Sequence, residues 1–384
     1  MNTDTKIYLD HAASTPLDPA VFDVMRPYFL DFQGNPSSTH AYGRTLKHAM
    51  EQARRDIANC LNVRPLEIYF TSGGTESDNL AIKGAVEGYQ LKHIISSPIE
   101  HHAVTHPIEE LEREGKVTVT WLNVDRKGHI SLQELERALK ANPRSLVSLM
   151  HGNNEIGTVY DIVSIGQLCR QYDALFHSDT VQTLGKVPLD ASELEVDFLT
   201  ASGHKFYGPK GVGFLYVRKG ISLPPLVTGG GQERSLRPGT ENIPAIVGMA
   251  TALKRAYERM ETSGQQEWEL KTYLVQQLKT YFPGVRFNGE TEPEHCLPNV
   301  VNITLPGAGD PMLLFNLDLK GIAASGGSAC SSGATVGSHV LHHIGVTQDE
   351  MPRSLRLSVG KTNQKSDVDI LIQALQEIMV PASA

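Results

Sequence analysis

The sequence predicts an α/β protein whose core is a largely parallel sheet covered by helices. Three observations carry this. Short apolar runs alternate with amphipathic stretches between Ile68 and Val217, tight turns of small residues follow several of those runs, and the pattern restarts after Glu261. The runs are Ile68 to Phe70, His93 to Ser96, Val117 to Leu122, Ser145 to Met150, Ala174 to Ser178, Val196 to Thr200 and Val212 to Val217, seven strands in all. Residues that carry chemistry are then expected just beyond the strand ends, at the carboxyl edge of the sheet.

A long helix is expected from near Asn242 to about Glu261, followed by a polar break over Thr262 to Gln266. A second unit follows, with a helix over Trp268 to Tyr281, strands at Val300 to Leu305 and Gly321 to Ala324, and a closing helix over Ser366 to Ile378. The division expected is a large domain, 15–261, and a smaller α/β domain formed by 1–14 with 262–384.

The 384 residues carry a formal charge of -8, with 40% apolar and 20% charged residues. That balance gives no basic field for nucleic acid or an anionic membrane, and it suits a soluble protein acting on small molecules. The first residues lack the basic start and apolar stretch of a signal peptide, and the longest apolar segment, around Ile243 to Leu253, is too short to span a bilayer. Cys60, Cys169, Cys296 and Cys330 are far apart and form no C-x-x-C pair, which fits a reducing cytoplasm better than a disulfide framework. Cys60 and Cys169 read as small buried side chains in helices, and Cys296 as a loop residue with no partner nearby. Cys330 differs, because Gly, Ser and Ala surround it in the run Ser325 to Gly333.

Three stretches carry the chemistry. Thr71-Ser72-Gly73-Gly74-Thr75-Glu76-Ser77-Asp78-Asn79 joins a strand to a helix through glycines, which gathers free backbone N–H groups at a positive helix end; it is either an anion site, most simply for phosphate, or an ordinary helix cap. It lacks the Gly-Lys-Ser/Thr of a Walker loop. His177-Ser178-Asp179-Thr180-Val181-Gln182 puts a carboxylate at a strand end, as a metal ligand, a cap or the partner of a protonated heterocycle. Ser202-Gly203-His204-Lys205-Phe206-Tyr207-Gly208-Pro209 puts a lysine on a tight turn after a third strand, which is what Schiff-base chemistry requires.

These motifs and their order resemble the fold-type I enzymes that use pyridoxal 5'-phosphate (PLP), in the class V aminotransferase branch and, within it, the cysteine desulfurases. The resemblance runs through Tyr8 to Ala13, Gly34-Asn35-Pro36-Ser37-Ser38 with His40 and Gly43-Arg44, Glu100-His101, Asn153-Asn154-Glu155-Ile156-Gly157, the lysine motif, Arg237-Pro238-Gly239-Thr240-Glu241-Asn242 and Ser328-Ala329-Cys330-Ser331-Ser332. It implies a PLP-dependent transferase fold with a mainly parallel seven-stranded sheet. It also implies that Lys205 binds the cofactor covalently, Asp179 holds the pyridinium proton, Gln182 lies near the ring hydroxyl and His101 stacks on the ring. Gly74, Thr75, Ser202 and His204 match the phosphate site, and Thr240 matches a residue offered to the neighbouring subunit's phosphate, so a homodimer is implied. Asn35, Asn154 and Arg356 match the substrate side, with Arg356 suited to a carboxylate.

The activity implied is removal of sulfur from L-cysteine, with Lys205 moving the α-proton, Cys330 becoming a persulfide and alanine leaving. The cysteine motif is similar to the branch with a long active loop. Thr180 stands where many relatives have Ala, and Lys361 where Arg is common. The sulfur acceptor is an unidentified protein serving cluster assembly, tRNA thiolation or DNA modification, and with a cluster scaffold Cys330 would be a transient iron ligand. Another PLP reaction, such as transamination or selenocysteine lysis, and a non-catalytic sulfur-transfer partner are the alternatives; an acceptor thiol argues against transamination. His102 and His106, four apart, have no third ligand nearby and do not read as a metal site, and the pair Asp10-His11 reads as structural or at the pocket rim rather than as a catalytic dyad.

Overall fold

The computed structural model describes residues 6–307, 312–326 and 337–379. Seven strands form one sheet in the order Ile68–Thr71, Gly213–Val217, Phe198–Ser202, Leu175–Asp179, Leu146–Ser148, His93–Ser96 and Thr118–Trp121. The last five are parallel to one another, while Gly213–Val217 runs antiparallel to both of its neighbours. Every expected strand of this region is present, displaced by no more than two residues at either end. Except at the edge strand Thr118–Trp121, which is partly exposed, their residues are almost all buried because both sheet faces are covered.

Side-chain alternation sorts neighbouring residues into two cores. Ile95, Leu199 and Phe214 pack with the helices Ala41–Cys60 and Ile243–Glu258, whereas Ile94, Phe198 and Leu215 pack with Gly74–Tyr89 and His102–Arg113. Phe176, Phe198 and Phe214 are fully buried, and truncating any one to Ala costs about 3–5 kcal/mol.

A third core lies under a separate antiparallel sheet in the order Ser354–Ser358, Val300–Thr304, Arg286–Asn288. The helices Met260–Tyr281 and Lys365–Met379 cover it through Leu270, Leu274, Leu278, Leu371 and Leu375. The first strand, Ile7–Tyr8, pairs in parallel with Ile322–Ala323, and Asp10 bridges to Ser358, so the N-terminal residues fold onto this unit. Among the described residues, no helix is long and apolar enough to cross a membrane.

One expectation fails. Thr262 to Gln266 is not a break but lies inside the helix Met260–Tyr281; the interruption falls earlier, at Arg259 with φ -113° and ψ 7°. Ser263 N–H donates to Arg259 O at 2.8 Å, and Thr262 Oγ1 donates to the same oxygen at 3.1 Å. The apolar stripe that begins at Leu270 overrides the weak helix preference of Thr262, Ser263 and Gly264, which sit near the helix start where polarity carries no penalty.

Candidate active site

The carboxyl ends of four sheet strands converge on one cavity of about 580 Å³. Two reversals of direction bring Thr71 to the same edge as Ser202, because both residues pair with Gly213. Only glycine fits between them: a Cβ on Gly213 would stand 2.4 Å from Ala201 O and 2.7 Å from Gly73 Cα. That approach carries the turn Ser72-Gly73-Gly74-Thr75 up to Ser202.

Gly73 has φ +153° and precedes the 16-residue helix Gly74–Tyr89, whose start has no side-chain cap. Its first amides, with a positive helix end behind them, suit a bound anion. Arg237 Nε donates to Glu76 Oε1 at 2.8 Å, and Ser72 N–H donates to Glu76 Oε2 at 2.8 Å, which ties the Arg237-Pro238-Gly239-Thr240 loop to this turn.

Lys205 ends a 3-10 turn, Gly203–Lys205, that follows the strand Phe198–Ser202. Its Nζ donates to Ala12 O at 2.6 Å and Ala13 O at 3.0 Å, and Gln182 Nε2 donates to the same Ala12 oxygen at 3.0 Å. His204 Nδ1 lies 3.1 Å from Ser14 Oγ. Burial and the Lys205 charge depress the His204 and His101 imidazoles to about 4, so both are neutral at pH 7. His101 starts the helix His102–Arg113, with Nδ1 accepting from Ala103 N–H at 3.1 Å.

Asp179 closes the strand Leu175–Asp179 and is buried; desolvation, then repulsion from Asp78, pushes its carboxyl up to about 7. Asp78 is raised to about 7 by its own burial and lies 3.3 Å from His177 Nε2, while Glu100, also fully buried, is raised well above the usual carboxylate range. Among the described residues Gln182 Oε1 is buried with no hydrogen-bond partner.

Arg356, on the strand Ser354–Ser358, is 2% exposed. Its Nη2 pairs with Asp10 Oδ1 at 2.7 Å and its Nη1 donates to Asn154 O at 3.0 Å, which leaves Nε buried and unpartnered among the described residues. The cavity wall thus brings together Gly74, Thr75, His101, Asn154, Asp179, Gln182, Ser202, His204, Lys205 and Arg356.

Two expected residues stand apart. Thr240 is exposed and lines an adjoining pocket that shares Ser72 and Gly211 with the cavity, and Asn35 sits in a loop where its side chain accepts from Ser37 N–H at 2.9 Å. Cys330 lies outside the described residues. Asp10 pairs with Arg356 rather than with His11, whose ring is buried. His102 stacks on His106 at 4.5 Å and approaches His339 at 4.3 Å between ring centroids.

Cys296 is a free cysteine with no partner near it in sequence, yet Lys271 Nζ reaches its Sγ at 3.0 Å from a distant helix. Sequence reasoning also missed Ser14, Asp78, Glu155 and His339 as cavity residues. Asp78 and Glu155 lie inside stretches that had drawn notice, and Ser14 just after one, but only the fold shows which side chains of a motif face inward. Glu155 is buried and accepts a hydrogen bond from Ser338 Oγ.

A mainly parallel seven-stranded sheet, with a lysine turn, a buried carboxylate and an uncapped helix start around one cavity at its carboxyl edge, is the architecture of the fold-type I PLP enzymes. Residues 7–371 match the class-V aminotransferase family. The chain is 42% identical to the cysteine desulfurase IscS of Dictyoglomus turgidum, over 97% of this chain and 94% of that one. Among solved structures it resembles a NifS-like protein (TM-score 0.90, 36% identity, 97% and 99% of the two chains) and SspA in complex with cysteine (TM-score 0.82, 35% identity, 93% and 99%). The chain belongs to the class-V aminotransferase family.

Proposed function

We propose that the protein is a PLP-dependent cysteine desulfurase, converting L-cysteine to L-alanine and keeping the sulfur as a persulfide on Cys330. The observation that carries this reading is the meeting of Lys205, Asp179, His101 and the Gly74-Thr75 amides in one cavity, in a chain whose relatives are named cysteine desulfurases.

The residues fit PLP. Asp179 is a buried carboxylate raised to about 7, which a ring N–H⁺ would relieve; Gln182 Oε1 lacks a partner; and the helix start at Gly74 is uncapped. When bound, the cofactor supplies an electron sink for charge developing at the substrate α-carbon. Asp179 would pair with the protonated ring nitrogen, and His101, neutral at pH 7, would lie beside the ring without adding a competing cation. Gly74, Thr75, Ser202 and His204 would hold the phosphate, and Thr240 would be offered to the neighbouring subunit's site.

Lys205 would hold the cofactor and would carry the proton at the substrate α-carbon, its half-buried Nζ aimed by the Ala12 and Ala13 carbonyls. Arg356 binds the substrate carboxylate, with Asn154 and Asn35 beside it. The Cys330 thiolate attacks the substrate sulfur: the S–S bond forms, the Cβ–S bond breaks, and its electron pair returns to the carbon skeleton, which takes a proton to become alanine.

The two cores flanking the large sheet and the separate third core support a large unit, 15–261, and a small one, 1–14 with 262–384. Thr240, exposed and outside its own chain's cavity, supports a homodimer. A net charge of -8 and the unpaired Cys60, Cys169 and Cys296 support a cytoplasmic protein that passes sulfur to an acceptor protein and contacts neither membrane nor nucleic acid. The test is spectroscopic: the protein reconstituted with PLP is expected to show a visible band that L-cysteine bleaches and Lys205→Ala lacks. Failure to retain PLP after gel filtration overturns the reading.

A further inference from the structure

A buried lysine–cysteine contact lies away from the cavity. Lys271, on the helix Met260–Tyr281, is 1% exposed, and its Nζ stands 3.0 Å from Cys296 Sγ and 2.7 Å from Leu297 O. Cys296 is 3% exposed, and its thiol donates to Glu292 O at 3.1 Å. No ion pair joins Lys271 to a carboxylate among the described residues, and the Trp268 ring lies 4.8 Å from Nζ. We propose that Cys296 and Lys271 form a redox-sensitive modification site, in which peroxide joins Sγ to Nζ covalently.

The chemistry balances. The thiol sulfur attacks one peroxide oxygen, the O–O bond breaks, and the thiol becomes a sulfenic acid while one water leaves. The neutral amine then attacks sulfur, the S–O bond breaks, and hydroxide leaves with an amine proton as the second water. Thiol, amine and one hydrogen peroxide thus give an S–N bond and two waters, with sulfur oxidised and peroxide reduced. Burial lowers the Lys271 pKa toward the neutral amine that this step needs; it also raises the Cys296 thiol, a rise that the adjacent Lys271 opposes. With the amine 3.0 Å from sulfur, S–N closure competes directly with a second oxidation.

The site is wired to the cavity. Cys296 bridges to Thr158, Val159 N–H donates to His295 O at 2.9 Å, and Leu297 N–H donates to Gly157 O at 2.8 Å. Those partners, 157–159, lie one residue beyond Asn154 and Glu155 of the cavity wall. A covalent staple between the helix and residue 296 therefore restrains the segment that carries them.

The experiment treats the PLP-loaded full chain with graded hydrogen peroxide, digests it with trypsin without reductant, and maps peptides by mass. The expected result is a cross-linked pair containing Lys271 and Cys296, lighter than the sum of its peptides by two hydrogen atoms, uncleaved after Lys271 and released by thiol reductant. Lys271→Arg and Cys296→Ser should each abolish the pair. Cys60, which is partly exposed, reports that the oxidant acted. If Cys60 is oxidised while Cys296 stays a thiol or goes to sulfinic acid with Lys271 still cleavable, the proposal is wrong. This readout does not depend on desulfurase activity.

Discussion

Arg356 Nη2 meets Asp10 Oδ1 at 2.7 Å, so the guanidinium assigned to the substrate carboxylate is already anchored by the first loop of the chain. The pairing joins the N-terminal segment, the strand Ser354–Ser358 and, through Asn154 O, the cavity wall. It also sets the aim of Arg356 before substrate arrives, which lowers the ordering cost of binding. Lysine cannot keep the anchor and grip a carboxylate together. Steady-state kinetics on Arg356→Lys should show KM for L-cysteine raised about tenfold to a hundredfold, roughly 1.4–2.8 kcal/mol, with a smaller change in kcat.

Lys205→Ala should lower alanine production by at least about a thousandfold, because both the covalent hold and the proton carrier are lost. Added amines that reach the site should restore part of the rate. An alanine variant within about tenfold of the parent rate, measured by single-turnover quench, contradicts the role given to Lys205.

The Asp179 carboxyl has a folded-state value of about 7 against an ordinary value of 3.8, a rise caused mainly by burial. For a group raised in the folded state, the stabilising contribution is fully present below about pH 4 and is lost as pH climbs through about 7. Buried His177 and half-buried His101 and His204, each lowered to about 4, act in the opposite sense below pH 6.5, so the comparison must be between variants. Without cofactor, the melting temperature of Asp179→Asn minus that of the parent should rise from pH 4 to pH 8. With PLP bound the sign should reverse, because the parent's carboxylate then has a cationic partner.

Gly73 has φ +153° where the chain turns into the helix Gly74–Tyr89, a backbone region that side chains with a Cβ rarely adopt. Gly73→Ala should therefore weaken PLP binding about tenfold or more while leaving the sheet intact, as read by cofactor titration beside far-ultraviolet circular dichroism.

Most of the large sheet was legible because its strands are buried on both faces and read as unbroken apolar runs. The strand Ser354–Ser358 was not, since its sequence Ser-Leu-Arg-Leu-Ser alternates polar and apolar residues and its serines and Arg356 are buried through hydrogen bonds and the Asp10 pair. The glycine turn, Asp179 and Lys205 were legible as strand-end motifs. Glu155 and Asp78 were not picked out, because their burial is decided by which face of a turn or helix meets the cavity. The pairing of Cys296 with Lys271 depends on a helix and a loop meeting in space, which no local pattern announces.

The central claim is that sulfur leaves L-cysteine for Cys330. The most direct measurement mixes the PLP-loaded protein with one equivalent of L-cysteine, then quantifies alanine by quench and the Cys330 peptide by mass. Alanine and a Cys330 peptide heavier by one sulfur atom should appear together, and Cys330→Ala should keep the cofactor band yet form no alanine. Alanine formed at the parent rate by Cys330→Ala, or a parent that binds PLP and forms neither product, would contradict the account.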